Sequence, residues 1–328
     1  MNAAATDSAA VRRIVDAIAE RQRFVISSHA RPDGDALGSE LAMAFALRHI
    51  GKQVRVVNRD PAPAPLMVFP GVADVEVADR IDDPGDAAII MECGDLARTG
   101  VEGLDRGFVI NIDHHVGNTG FGALQWFDPT AAACGEMVFD LVQALGVPMS
   151  AEIAVHIYVA ILTDTGSFHY SAISPKTFDI ARQCVEAGVD ASAVARSVYD
   201  SNTVGRLKLF GSVLDRMEID DTGRVATLYL DDAMLRSCEA TSDDSDGLVN
   251  LPLTARDIRA VILFKEDGPG RWRISLRSKA SVNVNAVARL HGGGGHVNAS
   301  GCSASGPLDA LAALLRRQVT EQIDASNP

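Results

Sequence analysis

The richest group of potential metal ligands in the chain is the segment His29-Ala-Arg-Pro-Asp33-Gly-Asp35. One imidazole and two carboxylates so close together can bind a divalent metal ion, or two ions that share the site. Pro32 and Gly34 bend the backbone, which allows alternate side chains to converge. The same residues also fit a plain turn, in which an Asp caps the next helix and His29 lies on the surface. The segment by itself leaves both interpretations open.

Side chains of the same kinds recur directly after two other apolar segments. Glu92 and Asp95 follow residues 87–91, and Asp113-His114-His115 follows residues 108–112. Each occurrence taken alone could arise by chance. Their repetition within one half of the chain favours a shared metal site over separate turns.

Asp164 adds a carboxylate from a predicted helix. It lies near the end of an apolar helical stretch, residues 151–165, directly before Thr165 and Gly166. A carboxylate in apolar surroundings is costly unless it is paired or bound to a metal ion. A helix-end turn at Gly166 is the alternative explanation.

These residues need a scaffold in which several strands end at one edge of a sheet. Short apolar, β-branched runs predict strands in the first half, and periodic apolar residues predict helices, with an amphipathic helix directly after Asp35. The strands are predicted at 24–28, 53–57, 87–91 and 108–112, and the helices at 9–21, 36–48, 132–145 and 151–165. The Pro- and Ala-rich residues 60–74 are predicted to form a loop. A mostly parallel sheet would place the carboxyl ends of its strands, with their acidic and histidine residues, on one edge.

The second half of the chain has a different pattern. A series of helices is predicted between residues 175 and 217, followed by strands at 224–230, 258–264 and 271–277 and helices at 283–290 and 308–323. We therefore predict an α/β protein made of a catalytic domain, a helical linker and a smaller α/β domain. The predicted bounds are 1–190, 191–217 and 218–328.

Length and composition limit the classes of protein to which the chain can belong. Its 328 residues allow two domains, and its 47% hydrophobic content is typical of a soluble globular protein. The formal net charge of −13 argues against a protein that coats long nucleic acid, which needs a broad basic face. Five scattered cysteines, no signal-peptide pattern and no apolar run of membrane-spanning length predict a cytoplasmic protein that does not bind membranes.

A glycine-rich segment, residues 291–296 (His-Gly-Gly-Gly-Gly-His), is the second candidate for chemistry. Successive glycines can expose backbone N–H groups to phosphate oxygens, and His296 can add a charge-assisted hydrogen bond. A flexible loop is the alternative. The surrounding residues favour an anion pocket, because residues 256–296 contain eight Arg and Lys against three Asp and Glu.

Taken together, these motifs resemble the DHH phosphoesterase superfamily. The resemblance consists of H-x-x-x-D-x-D at 29–35, a carboxylate at Glu92, D-H-H at 113–115 and D-T-G at 164–166. The G-G-G-G-H segment at 292–296 resembles the DHH-associated C-terminal domain of subfamily one. The order and spacing of five motifs extend over nearly the whole chain. The compact chain is most similar to the group of nanoRNases and pAp phosphatases, where pAp is 3′-phosphoadenosine 5′-phosphate.

The resemblance implies a role for each matching residue. His29 and Asp33 would bind one metal ion, Asp35, His114 and Asp164 the other, and Glu92 would bridge the two. His115 would face the scissile phosphate, and Asp113 would orient the histidine pair. The substrate would contact the following residues: Arg277, Gly293, Gly294, Gly295 and His296. The family usually has Asp at the bridging position, so Glu92 leaves the bridging geometry and the metal preference open, with Asp95 as the second choice.

The resemblance also implies the reaction and the cofactor. Two divalent ions would activate water for attack on phosphorus. Mixed imidazole and carboxylate ligands favour Mn²⁺ over Mg²⁺. The expected substrates are very short RNAs, cut to 5′-mononucleotides, and pAp, converted to AMP. Cyclic dinucleotides or linear pApA are the alternative substrates, a non-catalytic nucleotide sensor is a third hypothesis, and a homodimer is left open.

Overall fold

The computed structural model describes the chain over residues 3–169 and 172–326. It divides into two units, Met1–Ser201 and Asn202–Pro328, each with its own hydrophobic core. Residues 191–217, for which we predicted a helical linker, contain one helix in each unit.

The first unit is built on a six-stranded sheet in which every neighbouring pair of strands is parallel. The strand order is β3-β2-β1-β4-β5-β6, so the carboxyl ends of β1, β4 and β5 lie side by side. The strands are β1 (Arg23–Ser27), β2 (Gln53–Asn58), β3 (Glu76–Val77), β4 (Ala87–Met91), β5 (Phe108–Asp113) and β6 (Leu124–Phe127). The prediction of an α/β fold with a mostly parallel sheet is confirmed.

The described residues of this unit form six helices. They are α1 (Ala3–Ala19), α2 (Gly34–His49), α3 (Cys134–Ala144), α4 (Ala151–Asp164), α5 (Pro175–Glu186) and α6 (Ala191–Tyr199). Short 3-10 helices at Ala64–Leu66 and Val72–Asp74 interrupt the predicted loop at 60–74.

Helix α2 is buried on nearly every side, so the prediction of an amphipathic helix there was wrong. Its sequence has apolar or small residues on all faces, which lets it pack against α3 and α4 at once. A Cβ added at Gly38 would lie 2.5 Å from the carbonyl oxygen of His156 in α4. Gly34, the first residue of α2, similarly packs against the side chain of Thr163, so the start of α2 lies next to the end of α4, where Asp164 lies.

The second unit contains a mixed six-stranded sheet of order β11-β12-β10-β9-β8-β7. Its strands are β7 (Glu218–Ile219), β8 (Val225–Leu230), β9 (Ala260–Glu266), β10 (Arg271–Ser278), β11 (Gly294–Gly295) and β12 (Ala299–Ser305). Its helices are α7 (Val204–Asp215), α8 (Asp232–Ser237), α9 (Val284–Leu290) and α10 (Leu308–Ala325). In the part of the chain that the structure describes, no helix is both long enough and apolar enough to span a membrane.

Candidate metal centre

The candidate site forms at the carboxyl edge of the parallel sheet. Three neighbouring strands end there, and each is followed by a predicted site residue: His29 after β1, Glu92 after β4, and His114 after β5. These residues lie close together because the carboxyl ends of parallel strands meet at the same edge of the sheet.

Asp35 enters the site from the first turn of α2 and is 1% exposed. Its Oδ2 accepts the backbone N–H of Cys134 at 2.6 Å, and its Oδ1 accepts the N–H of Gly135 at 3.0 Å. The Ser39 hydroxyl also donates to Oδ1. Helix α3 has no side-chain cap of its own at Ala133, so the Asp35 carboxyl group supplies the acceptors for the first N–H groups of that helix.

His114 is the centre of the cluster. Its Nε2 lies 3.3 Å from Glu92 Oε1, 3.5 Å from Asp164 Oδ2 and 3.8 Å from Asp35 Oδ2. Its Nδ1 lies 3.0 Å from the carbonyl oxygen of Ala131, an acceptor that requires the proton on Nδ1. Nε2 is therefore the nitrogen directed at the three carboxylates, and in the neutral ring it can bind a metal ion.

Glu92 combines a strained backbone with an unsatisfied side chain. Its φ is +52°, a region that residues other than glycine rarely adopt and that recurs at functional sites. Its side chain is buried, and within the described structure Oε2 accepts no hydrogen bond, although it lies 3.3 Å from His114 Nε2. A buried carboxylate oxygen with a free lone pair, next to an imidazole nitrogen, is what a bound divalent ion would satisfy.

The pKa shifts within the cluster also favour a bound cation. Burial and the neighbouring Glu92 raise the pKa of Asp164 to about 6, and the same two causes raise the pKa of Asp35. Burial alone would lower the pKa of His114, but its hydrogen bond to Glu92 and the nearby carboxylates outweigh it and raise the pKa to about 11. Carboxylates crowded around one imidazole therefore favour any added positive charge.

Asp113 and His115 form a second pair beside the cluster. Asp113 is fully buried, and its Oδ1 lies 2.9 Å from His115 Nδ1. Burial tends to raise the pKa of Asp113, but hydrogen bonds from His115 and Asn118 outweigh it and the pKa lies below its usual value. The ionised carboxylate can only accept, so the proton of this bond is on His115 Nδ1. Asp113 thereby orients the ring of His115.

The described residues contain two groups whose ligand atoms are close enough together to bind one ion. They are Glu92, His114 and His115, and Asp35, His114 and Asp164. His29 and Asp33 are in neither group. The Nε2 of His29 lies 3.9 Å from Asp33 Oδ2, and Asp33 Oδ1 accepts the N–H of Ala36 as the N-cap of α2. The turn and N-cap that we considered as the alternative are thus present, and one carboxylate oxygen of Asp33 remains outside the cap.

Asp95, our second choice for the bridging carboxylate, has a different environment. Its Oδ1 accepts the N–H of Ala97 at 2.9 Å, which caps the 3-10 helix Leu96–Thr99. The structure does not bring it into either candidate metal group.

The glycine-rich segment is part of a sheet edge. Gly294 and Gly295 form β11 and pair with Gly301 and Ser300 of β12. His296 is exposed at the turn between the two strands. Arg277 lies at the end of β10 beside Ala299, is half-buried, and is paired with no carboxylate in the described part of the second unit. Burial lowers its pKa, but a guanidinium stays charged and thus available for an anion.

Sequence reasoning missed two polar residues at this site, Asn111 and Asn118. Asn111 is 1% exposed and sits on β5 two positions before Asp113, so both side chains lie on the same face of the sheet. An asparagine inside the otherwise apolar run Phe-Val-Ile-Asn-Ile was the available signal, because a buried amide needs partners.

Comparisons with known proteins show the family to which the chain is similar. Residues 23–161 match the family model of the DHH family N-terminal domain, and residues 223–323 match the model of the DHHA1 domain. The chain is 34% identical to the bifunctional oligoribonuclease and PAP phosphatase NrnA of Thermus thermophilus, over 91% of this chain and 89% of the relative. It is 26% identical to the protein of the same name from Bacillus subtilis, over 85% and 88% of the two chains.

A solved structure is similar along almost the whole length. The exopolyphosphatase-related protein from Bacteroides fragilis superposes with a TM-score of 0.89 at 29% identity, over 96% of both chains.

Proposed function

This chain belongs to the DHH family of phosphoesterases, and we propose that it hydrolyses very short RNA oligonucleotides to 5′-mononucleotides and converts pAp to AMP. The observation that carries this proposal is the cluster of Glu92, Asp35 and Asp164 around His114 Nε2. The names of the relatives that match most of the chain support the two substrates.

Enzymes of this family depend on metal ions, and the clustered residues fit such ions. We propose that Asp35, His114 and Asp164 hold one ion, that His29 and Asp33 hold a second, and that Glu92 bridges them. When bound, two divalent ions supply Lewis acidity that activates water and offsets the charge on the phosphoryl oxygens. We propose Mn²⁺ because the set mixes imidazole nitrogens with carboxylates, whereas Mg²⁺ prefers oxygen ligands.

The remaining side chains would orient the substrate and manage protons. His115 keeps its Nδ1 proton in the bond to Asp113, and we propose that the ring faces the scissile phosphate. We propose that Arg277, Gly293, Gly294, Gly295 and His296 bind a phosphate or the terminal nucleotide. The charge of Arg277 and the absence of a carboxylate partner in the described second unit support this role.

We place the metal site in a domain of residues 1–190 and substrate binding in residues 218–328, joined by the helical segment 191–217. We further propose that the enzyme acts in the cytoplasm, alone or as a homodimer, without binding long nucleic acid or membranes. All five cysteines are free, which suits a reducing compartment.

A panel of substrates tests the proposal. The purified protein with Mn²⁺ should release AMP from pAp and mononucleotides from an RNA dinucleotide, whereas His114→Ala should release neither. Gln125→Ala, an exposed change outside the cluster, is the matched control and should keep both activities. Preferred cleavage of cyclic-di-AMP or pApA would move the assignment to a cyclic-dinucleotide phosphodiesterase. Tight nucleotide binding without hydrolysis would indicate a sensor.

A further inference from the structure

We propose that Asn111 and Asn118 form an amide relay that holds Glu92 and His115 in position together, which makes both asparagines positioning residues for the reaction proposed above. The relay is the pair of side-chain amides at these two positions. Both lie outside the residues assigned above as metal ligands, and the two candidate groups consist of His, Asp and Glu alone.

The first half of the relay braces the backbone of Glu92. The side-chain Nδ2 of Asn111 donates to the carbonyl oxygen of Ile90 at 3.2 Å and to that of Cys93 at 3.1 Å. These carbonyls lie on either side of Glu92, whose φ of +52° is costly for a residue with a side chain. Two hydrogen bonds across the turn stabilise that conformation, which directs the Glu92 carboxylate towards His114.

The second half of the relay holds Asp113. The Nδ2 of Asn118 donates to Asn111 Oδ1 at 2.9 Å and to Asp113 Oδ2 at 2.6 Å. The other oxygen of Asp113 accepts the His115 Nδ1 proton. Asn118 is itself fixed, because its Oδ1 accepts the N–H of Gly120 and its own N–H donates to His115 O.

The two halves share the bond between Asn111 and Asn118, so a change at either amide reaches both sides of the site. Asn111 has both polar atoms of its side chain occupied, one by the Glu92 turn and one by Asn118. If Asn118 is removed, Asp113 loses a donor and Asn111 loses the bond that orients its amide. Partners that orient catalytic and metal-binding side chains typically contribute 10–100-fold to activity or metal affinity.

Steady-state kinetics on pAp with Mn²⁺ provide the first readout. We expect Asn118→Ala to lower kcat about 10-fold or more and to leave KM within about twofold of the wild-type value. This pattern is expected when His115 loses its orientation but substrate binding is unchanged. Asn111→Ala should lower kcat and also raise the Mn²⁺ concentration for half-maximal activity, because it releases Glu92. The kcat of the double variant should lie within about twofold of the kcat of the less active single variant, because the effects of residues in one relay are not additive.

The control is Gln125→Ala. Gln125 pairs with Asn111 across β5 and β6, but its side-chain amide donates to Gly120 O and Gly122 O of the same loop rather than to the relay. The relay would be overturned if Asn118→Ala had the kinetics of the wild type. It would also be overturned if the fold-losses in kcat of the two single variants multiplied in the double variant. If Asn118→Ala does not fold, Asn118→Ser takes its place in the same comparison.

A readout without metal or turnover separates the relay from the proposed function. In the metal-free protein, ¹⁵N NMR should show the His115 Nδ1 proton protected from exchange with water in the wild type and in Gln125→Ala. Asn118→Ala should exchange it at least about 10-fold faster. Unchanged exchange would contradict the relay even if the enzyme hydrolyses pAp. If Asn118→Ala exchanges this proton faster but the wild-type protein hydrolyses no nucleotide, the relay is supported and the proposed function is rejected.

Discussion

The Asp35 carboxylate of α2 accepts the backbone N–H of Cys134 at the start of α3. The same carboxylate also accepts the N–H of Gly135 and approaches His114 Nε2. One side chain therefore joins two helices and belongs to the candidate metal site, so its removal should affect both stability and activity.

Asp35→Ala should abolish hydrolysis and lower the free energy of unfolding by about 1–3 kcal/mol, because two buried N–H groups lose their acceptor. Asp35→Asn retains one acceptor oxygen and should cost less stability while still losing activity. Urea unfolding and pAp turnover measure the two effects. Asp190→Ala, which removes the N-cap of α6, is the control: it should cost about 1 kcal/mol and leave turnover intact. An active Asp35→Ala enzyme would refute the metal assignment.

Glu92→Gln should reduce turnover severely, because a neutral amide is a poor bridge between two cations. Glu92→Asp should retain part of the activity, because it keeps a carboxylate that is only one methylene shorter. Asp95→Ala serves as the comparison. It removes only the cap of a 3-10 helix, so it should lower stability by about 1 kcal/mol and preserve turnover. A larger loss of turnover in Asp95→Ala than in Glu92→Gln would show that the bridging carboxylate is Asp95.

Removal of divalent ions should abolish hydrolysis, and Mn²⁺ should restore it better than Mg²⁺. The physical reason is the imidazole nitrogen of His114, which suits Mn²⁺ more than a cation that prefers oxygen. Activity after exhaustive chelation and back-titration with each metal is the measurement. Full activity in the metal-free protein would contradict the dependence, and stronger restoration by Mg²⁺ would contradict the choice of Mn²⁺.

His156 should make the protein less stable in mild acid. The imidazole is buried against Phe45 and bonds to the carbonyl oxygen of Pro70, and burial lowers its pKa to about 4 from a usual value of 6.5. The unfolded state therefore binds the proton more readily. This contribution to stability is complete above about pH 6.5 and is lost as the pH falls towards 4, by at most about 1.4 kcal/mol per pH unit.

His156→Gln cannot titrate and should show a shallower loss of stability between pH 6.5 and 4 than the wild type. Other buried groups, such as Asp35, titrate in both proteins, so the difference between the two curves isolates His156. Parallel curves across this range would show that His156 is protonated as easily in the folded state as in the unfolded state.

Much of the first unit could be predicted because its strands are apolar and short. β4 occupies residues 87–91 as predicted, and the acidic residues after β4 and β5 marked the site edge. β12 was missed because Ala-Ser-Gly-Cys-Ser-Ala-Ser has few residues that favour strands; it forms because every residue from Ala299 to Ser305 pairs with β10.

Tertiary contacts explain what the sequence could not reveal about the site. The backbone of Glu92 adopts its positive φ beside Asn111, a partner that is distant in sequence. The capping of α3 by Asp35 joins residues about 100 positions apart, and no local sequence pattern predicts it. The N-cap role of Asp33, in contrast, was visible in the sequence as the alternative to a metal ligand.

The most direct test of a phosphoesterase for very short RNA is kcat/KM across a length series from a dinucleotide to a 24-mer, which exceeds the ~4–16 nucleotides that one single-strand binding domain covers. We expect a steep fall beyond a few nucleotides, because a chain of net charge −13 does not attract a long phosphate backbone. Arg277→Ala should raise KM for the shortest members by a factor that corresponds to about 1.5–3 kcal/mol, the contribution of a charge-assisted contact. Equal efficiency on the longest and shortest RNAs would contradict the account and indicate a processive exonuclease.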